Sequence, residues 1–441
     1  MNNMKKFIVF ILTLLIASTF FTQSMAASEV LYDSYKGQLG IEIRSYSPNW
    51  TGDKLEEVYE ELLNNIHGEE IEYLSTINLY PDNPFGGEEE GLYHGAYQSN
   101  LFSNKTNYKI KKNRVIDLFN MQEKESINEI AKTLSHEYGH HFTFYYILKG
   151  ENKTFEQWRD TKYAKIRGLT DDNRVRNDYS NGHQWNITEI AAEDYIQLYG
   201  SPNAKTPNLY DDIIVRAEKQ TLDEIIKWNN HIFNVYPQEN FNIPLANNVA
   251  NLRQYWATIS GIDIDEYNEP PTGSVVGLTE VKNLGHDKKQ FIIRWTESKD
   301  RDSSNLLYTL VAYDQKQHQV IPIKTVKQGE ELVAVIGSTK VINENEIIFY
   351  SDIFIDSPKN IRVFTMDEHG NIISSNIIVI DFNNPVITEL NQMKNIQERI
   401  TNEEIENNME VLVDNQKDEV EKGWLDNFFD FIIELIKGFI K

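Results

Sequence analysis

Cysteine is absent from all 441 residues. That excludes a disulfide framework, a thiolate zinc site and a thiol nucleophile, so any metal chemistry must use His, Asp and Glu. Basic residues are scarce beside acidic ones: 43 Lys and Arg face 67 Asp and Glu, a formal charge of −24. A field of that sign repels nucleic acid and anionic lipid at long range, and solubility is its simplest use. Long apolar runs are missing after the N-terminus. The one near the start, Phe7 to Ala17, follows Lys5 and Lys6 and precedes Ser24-Met25-Ala26, whose small residues suit a cleavage site. These are the three parts of a secretory signal over residues 1–26, and the run is short for a membrane span. Its removal leaves 41 basic residues against 67 acidic ones, a formal charge of −26. The expectation is a secreted protein, extracellular or associated with the cell envelope, with no nucleic-acid partner.

The length suits two or three domains, and the sparse prolines mark where one ends. Pro270, Pro271 and Gly273 interrupt regular structure in "NEPPTGS". Before them, over 27–268, helical and strand patterns mix. Leu55, Val58, Leu62 and Ile66 have helical spacing, while Ile71 to Leu79, Leu92 to Leu101 and Arg114 to Phe119 read as short strands. A twisted sheet flanked by helices follows, hence an α+β domain. Over 272–383 the pattern is strands only, in runs such as "KQFIIRWT", "LLYTLVAYD", "ELVAVIG" and "NIRVFTM", as an all-β sandwich requires. From 384 to 441 the chain reads as an acidic helical tail. Its end, Gly423 to Lys441, carries Phe428, Phe429, Ile432, Ile433, Leu435, Ile436 and Phe439 around a narrow polar face. Such an apolar surface calls for burial, by docking on the protein itself, by self-association or on a membrane surface.

Histidine is also rare, with ten in the chain, yet "LSHEYGHHFT" at 134–143 holds three of them. Ser126 and Glu129 form a capping-box pattern that starts a long helix, and Gly150 offers a stop. Within that helix His136 and His140 are four residues apart, so they stack on one face and both reach one metal ion. Glu137, one position along, can hold a metal-bound water. His141 points about 100° away around the helix and reads as structural. A catalytic zinc site takes a third protein ligand and leaves one position open. "WNITEIAAEDYIQLYGSP" at 185–202 offers Glu189, Glu193 and Asp194 on a second helix, and Ala191 and Ala192 suit close packing on another helix. Glu189 and Glu193, one turn apart, provide one ligand and one carboxylate to receive a ligand imidazole.

HEYGH followed by E-I-A-A-E resembles the gluzincin zinc metallopeptidases, in particular the branch containing anthrax lethal factor and the Pro-Pro endopeptidases. The resemblance implies a zincin-like fold for 27–268 and a single catalytic Zn2+ held by His136, His140 and Glu189. It makes Glu137 the general base, Glu193 the partner of a ligand histidine, and a protein or peptide the substrate. The branch places an oxyanion-stabilising tyrosine about two helical turns before the third ligand, where this chain has Gly182. Tyr179 and His183 flank that position, and either fits the role. The strand around His94 in "GLYHGAYQSN" would offer a peptide an edge, with Gly91 and Gly95 keeping it open.

The sandwich segment is similar to fibronectin type III domains. Trp295 takes the place of a buried strand tryptophan, Tyr308 and Val311 continue into the next strand, and "VFTMDEHGNIISS" matches a late hairpin. The family's corner tyrosine is replaced near Lys359. Asp300-Arg301-Asp302 and Glu88-Glu89-Glu90 have the oxygen donors that Ca2+ takes, with solvated acidic loops as the simpler reading. The expectation is therefore a secreted zinc endopeptidase. The alternative is a non-catalytic surface- or matrix-binding protein with a structural or decayed metal site.

Overall fold

The computed structural model describes residues 30–99, 108–205, 237–264, 268–285, 288–313, 320–337, 358–388 and 390. The signal segment 1–26, nearly all of the helical tail and the amphipathic end at 423–441 lie outside the described residues. Helices and several sheets are both present, and they enclose two separate hydrophobic cores. Among the described residues no helix is long and apolar enough to cross a membrane.

The first core lies under a five-stranded sheet. Its strands are β1 (Asp33–Lys36), β2 (Glu42–Ser45), β3 (Leu74–Leu79), β4 (Gly91–Tyr93) and β7 (Arg114–Leu118), ordered β1-β2-β3-β7-β4. A separate hairpin pairs β5 (Tyr97–Ser99) with β6 (Tyr108–Ile110). The inner strands β2, β3 and β7 run parallel, whereas β4 pairs antiparallel with β7 and, among the described residues, has no strand on its other edge. Helix α1 (Asp53–Leu63) connects β2 to β3 and buries Leu55, Val58 and Leu62. Ile71 to Tyr73, expected as strand, belongs to a 3₁₀ turn over Glu69–Tyr73, and the strand starts at Leu74. The cause is Glu70. Its carboxylate is buried and receives Tyr138 Oη at 2.7 Å, Tyr146 Oη at 2.6 Å and the Gly68 amide at 2.9 Å, contacts that need the chain turned inward.

Helix α2 (Ile127–Glu151) crosses the sheet, starting from the capping box of Ser126 and Glu129. It runs one residue past Gly150 and closes on Asn152 in the left-handed region, φ 51°. Gly150 instead gives close approach: a Cβ there would lie 3.1 Å from Ile259 Cβ on helix α4 (Leu252–Ser260). Helix α3 (Ile187–Tyr199) packs on α2 where both carry small residues. A Cβ on Gly139 would lie 2.9 Å from the Ala192 carbonyl and 3.1 Å from its Cα, so the glycine inside HEYGH sets the distance between the two helices. Ala191 and Ala192 are buried at that contact.

The second core lies between two sheets. One holds β8 (Val276–Gly285), β9 (Lys288–Trp295) and β12 (Val333–Gly337); the other holds β10 (Leu307–Tyr313), β11 (Val320–Lys327), β13 (Lys359–Met366), β14 (Ile372–Ser374) and β15 (Ile378–Ile380). Trp295, Tyr308 and Val311 are buried there. β8 and β11 were not marked by the strand pattern because turn residues and charges break their alternation. The β13–β14 hairpin pairs Phe364 with Ser374.

That hairpin is fastened to the first unit. Asn248 Nδ2 donates to the Ser374 carbonyl at 2.7 Å and Asn248 Oδ1 accepts from the Ser374 amide at 2.9 Å, a side-chain copy of strand pairing. Asn247 Nδ2 reaches the Ile372 carbonyl at 2.9 Å. Removing a side chain that satisfies a strand amide and carbonyl costs about 1–3 kcal/mol. Asn248→Ala is therefore expected to lower the midpoint of thermal unfolding and to open the hairpin to protease. An unchanged midpoint would show that other contacts carry the junction.

Candidate metal centre

Two helices build the centre. His136 and His140 share one face of α2, one turn apart, with ring centroids 4.8 Å apart. Glu189 lies in the first turn of α3, whose start is fixed by Asn186 Oδ1 accepting from the Thr188 amide at 3.0 Å. The close Gly139–Ala192 contact brings this turn over the two imidazoles. His136 Nε2 is 3.0 Å and His140 Nε2 is 3.1 Å from the same oxygen, Glu189 Oε2. One ligand atom from each of the three residues lies within 4.8 Å of the others, and this is the one such group of three or more among the described residues.

Electrostatics follow from burial. His136 is deeply enclosed, which disfavours its charge, but hydrogen bonds to Glu189 and Glu193 outweigh that and push its pKa up to about 10. Glu189 is likewise disfavoured by burial and yet held far below the usual carboxylate range by the two imidazoles. The His136 imidazole and its carboxylate partners thus do for one another part of what a divalent cation would do for the group. Binding a cation would displace the His136 proton. Glu193 completes the outer layer: its Oε1 is 3.1 Å from His136 Nδ1, the nitrogen that faces away from Glu189. Its Oε2 is buried without a hydrogen-bond partner. Two imidazole nitrogens, a carboxylate oxygen and an outer carboxylate on a ligand ring are a donor set that fits zinc. The group can hold a metal ion.

The centre opens into a cleft of about 1020 Å³ lined by all seven residues expected at the site: His136, Glu137, His140, Tyr179, His183, Glu189 and Glu193. Glu137 is buried against the open-edge strand, where a Cβ on Gly91 would lie 2.7 Å from its Cγ and 2.8 Å from its Oε1. Tyr179 Oη donates to Glu189 Oε1 at 2.9 Å, and its ring stacks on His183 with centroids 5.7 Å apart. His183 Nε2 is 3.3 Å from Glu189 Oε2, and its Nδ1 is 2.7 Å from Glu239 Oε2. Between them Gly182 has φ 98°, a conformation that excludes a tyrosine at this place.

Other candidates are assigned elsewhere. His141 is fully buried, with Nε2 2.7 Å from the Glu70 carbonyl and Nδ1 2.9 Å from Tyr93 Oη. Burial pushes its pKa down to about 4. Asp194 turns away from the metal group into a buried bond with Arg167 at 2.9 Å and Tyr163 at 2.7 Å. His94 is tied to Asp117 at 2.7 Å. Asp300, Asp302 and Glu88 to Glu90 belong to no three-ligand group among the described residues.

The sequence reading missed Glu239, which lies 56 residues from His183 with no spacing rule to join them. It also missed Tyr93, Phe144 and Phe155 as lining residues. Comparison of the chain with models of protein families and with curated proteins gives no match.

Proposed function

We propose that the protein is a zinc-dependent endopeptidase acting outside the cell on protein or peptide substrates. The observation that carries this reading is the meeting of His136, His140 and Glu189 at the floor of a cleft with Glu137 beside them and an open strand edge alongside. A zinc ion held by the three residues would supply a Lewis acid that brings the pKa of a water towards neutrality and polarises a carbonyl. Glu137, one residue along from the first histidine, takes the proton of the attacking water and returns it to the leaving amine. Glu193 holds His136 through Nδ1, and so fixes which ring nitrogen faces the ion. Tyr179 Oη meets Glu189 Oε1 and His183 Nε2 lies 3.3 Å from Glu189 Oε2, so both stand next to the metal group as donors for the developing oxyanion. The open edge of β4 offers backbone hydrogen bonds to an extended peptide. We further take the first unit as zincin-like and the second as fibronectin type III-like, a reading supported by the two sheets that share a core around Trp295.

Purified protein is expected to carry one zinc per chain and to cleave members of a diverse peptide library. Chelation should abolish cleavage and added Zn2+ restore it. Full activity without zinc would overturn the proposal, and bound zinc with no cleavage of any peptide would favour the binding-protein reading. Gly91 gives a finer test. Alanine there collides with Glu137 from Cγ to Oε1 and displaces the base. Gly91→Ala should keep zinc and lose about ten- to a hundredfold in kcat, the range for a misplaced catalytic group.

A further inference from the structure

The third histidine of LSHEYGHH plays no part in the metal group, and yet it touches the cleft at one remove. The strand edge and the metal helix run side by side in matching steps. Glu90 Oε2 accepts from Thr133 Oγ1 at 3.2 Å, Gly91 lies against Glu137, Tyr93 Oη meets His141 Nδ1 at 2.9 Å, and a Cβ on Gly95 would lie 3.6 Å from the Phe144 ring.

Alternate strand residues face the helix. Here they are Gly91, Tyr93 and Gly95, while Leu92 points outward and is exposed. Each glycine lets a neighbouring side chain close on the backbone. At Gly91 that side chain is the Glu137 carboxylate arm, and at Gly95 it is the Tyr93 ring, whose Cε1 would lie 3.0 Å from a Cβ there, with Phe144 beside it. Past His140 the cleft is walled by Tyr93, Phe144 and Phe155. Tyr93 and Phe144 meet edge to face with centroids 6.2 Å apart.

Tyr93 cannot turn freely. His141 Nε2 faces the Glu70 carbonyl at 2.7 Å, which accepts only, so this nitrogen carries the proton. Nδ1 is then the acceptor for the Tyr93 hydroxyl. The third histidine thus fixes the direction of the phenol and the angle of the ring that walls the cleft.

On the reading of the protein as a peptidase, we propose that Tyr93 is a specificity-determining residue and His141 its positioning residue. The pocket of Tyr93, Gly95, Phe144 and Phe155 takes a flat aromatic side chain of the substrate next to the scissile bond. Rings at its walls prefer edge-to-face or offset contact with a further ring.

The test uses the full-length, zinc-loaded protein and a library of blocked peptides. Wild type should prefer Phe or Tyr over Ala at one position by about ten- to a hundredfold in kcat/KM, the range for burying one large side chain. Tyr93→Phe keeps the ring but not its anchor, and should narrow that preference several-fold through KM, with zinc content unchanged. His141→Asn should behave like Tyr93→Phe. Phe144→Leu alters the wall without touching the anchor, and should lower the aromatic preference even if the other two variants prove unstable. Direct binding of a Phe-containing and an Ala-containing peptide amide to Glu137→Gln protein, followed by calorimetry, should show the same ordering without turnover. Wild-type cleavage with no aromatic preference, or a preference untouched by all three variants, overturns the proposal while leaving the peptidase reading intact. No cleavage and no peptide binding by any form would count against the peptidase reading itself.

Discussion

Glu137→Gln is expected to reduce peptide turnover by about a hundred- to ten-thousandfold, the range general-base catalysis supplies, while zinc remains bound in full. The argument rests on position. Glu137 is next to His136 in the chain, and its carboxylate is not among the ligand atoms that converge on one point. It lies in the cleft, buried against the Gly91 backbone. A group so placed stands beside the three ligand residues without joining them, so an uncharged isostere should leave the metal affinity as it was and remove only proton transfer. Metal analysis and single-turnover kinetics on the same preparation check both halves. Zinc lost together with activity would make Glu137 a ligand and not a base. Full turnover by Glu137→Gln would remove it from the chemistry altogether.

How far the sequence disclosed this arrangement depends on the range of each interaction. The metal pair was legible because four residues on a helix is a fixed distance, and the capping box at Ser126 and Glu129 showed that the helix exists. Glu189 and Glu193 were legible for the same local reason once the second helix was recognised. The separation of helix and strand segments also came through, since their periods differ. The rest was not local. The 3₁₀ turn at Glu69–Tyr73 exists to bring a carboxylate under two tyrosines that follow by about seventy residues, and no pattern near Glu70 announces it. Gly150 had the look of a helix stop, but its role is set by Ile259 on another helix. The pairing of His183 with Glu239 and of Tyr93 with His141 likewise requires the folded chain. Gly139 is the instructive intermediate: it stands inside a motif read for its histidines, yet what demands a glycine there is the Ala192 backbone.

Glu189→Ala, by contrast with Glu137→Gln, should release the metal. The carboxylate is the one oxygen donor in the group, both imidazole Nε2 atoms face it, and it is 4 % exposed. Taking it away leaves two histidines on one helix, too few for a site that needs three protein ligands. The expected fall in zinc affinity exceeds the roughly 10- to 100-fold that follows loss of an outer-layer partner. Glu193→Ala should fall within that smaller range, because Glu193 reaches the ion only through the His136 ring. The two losses can be ranked by competition with a chromophoric chelator, which reads affinity without reference to turnover. The metal-free protein should also respond differently to the two changes. Glu189 accepts from both imidazoles when no ion is present, so its removal leaves two ring nitrogens on the buried side without their shared partner and should lower the unfolding midpoint of the zinc-free form. If Glu193→Ala empties the site and Glu189→Ala does not, the ligand and its outer partner are exchanged on this helix, and α3 has to be shifted along α2 by one helical turn to match.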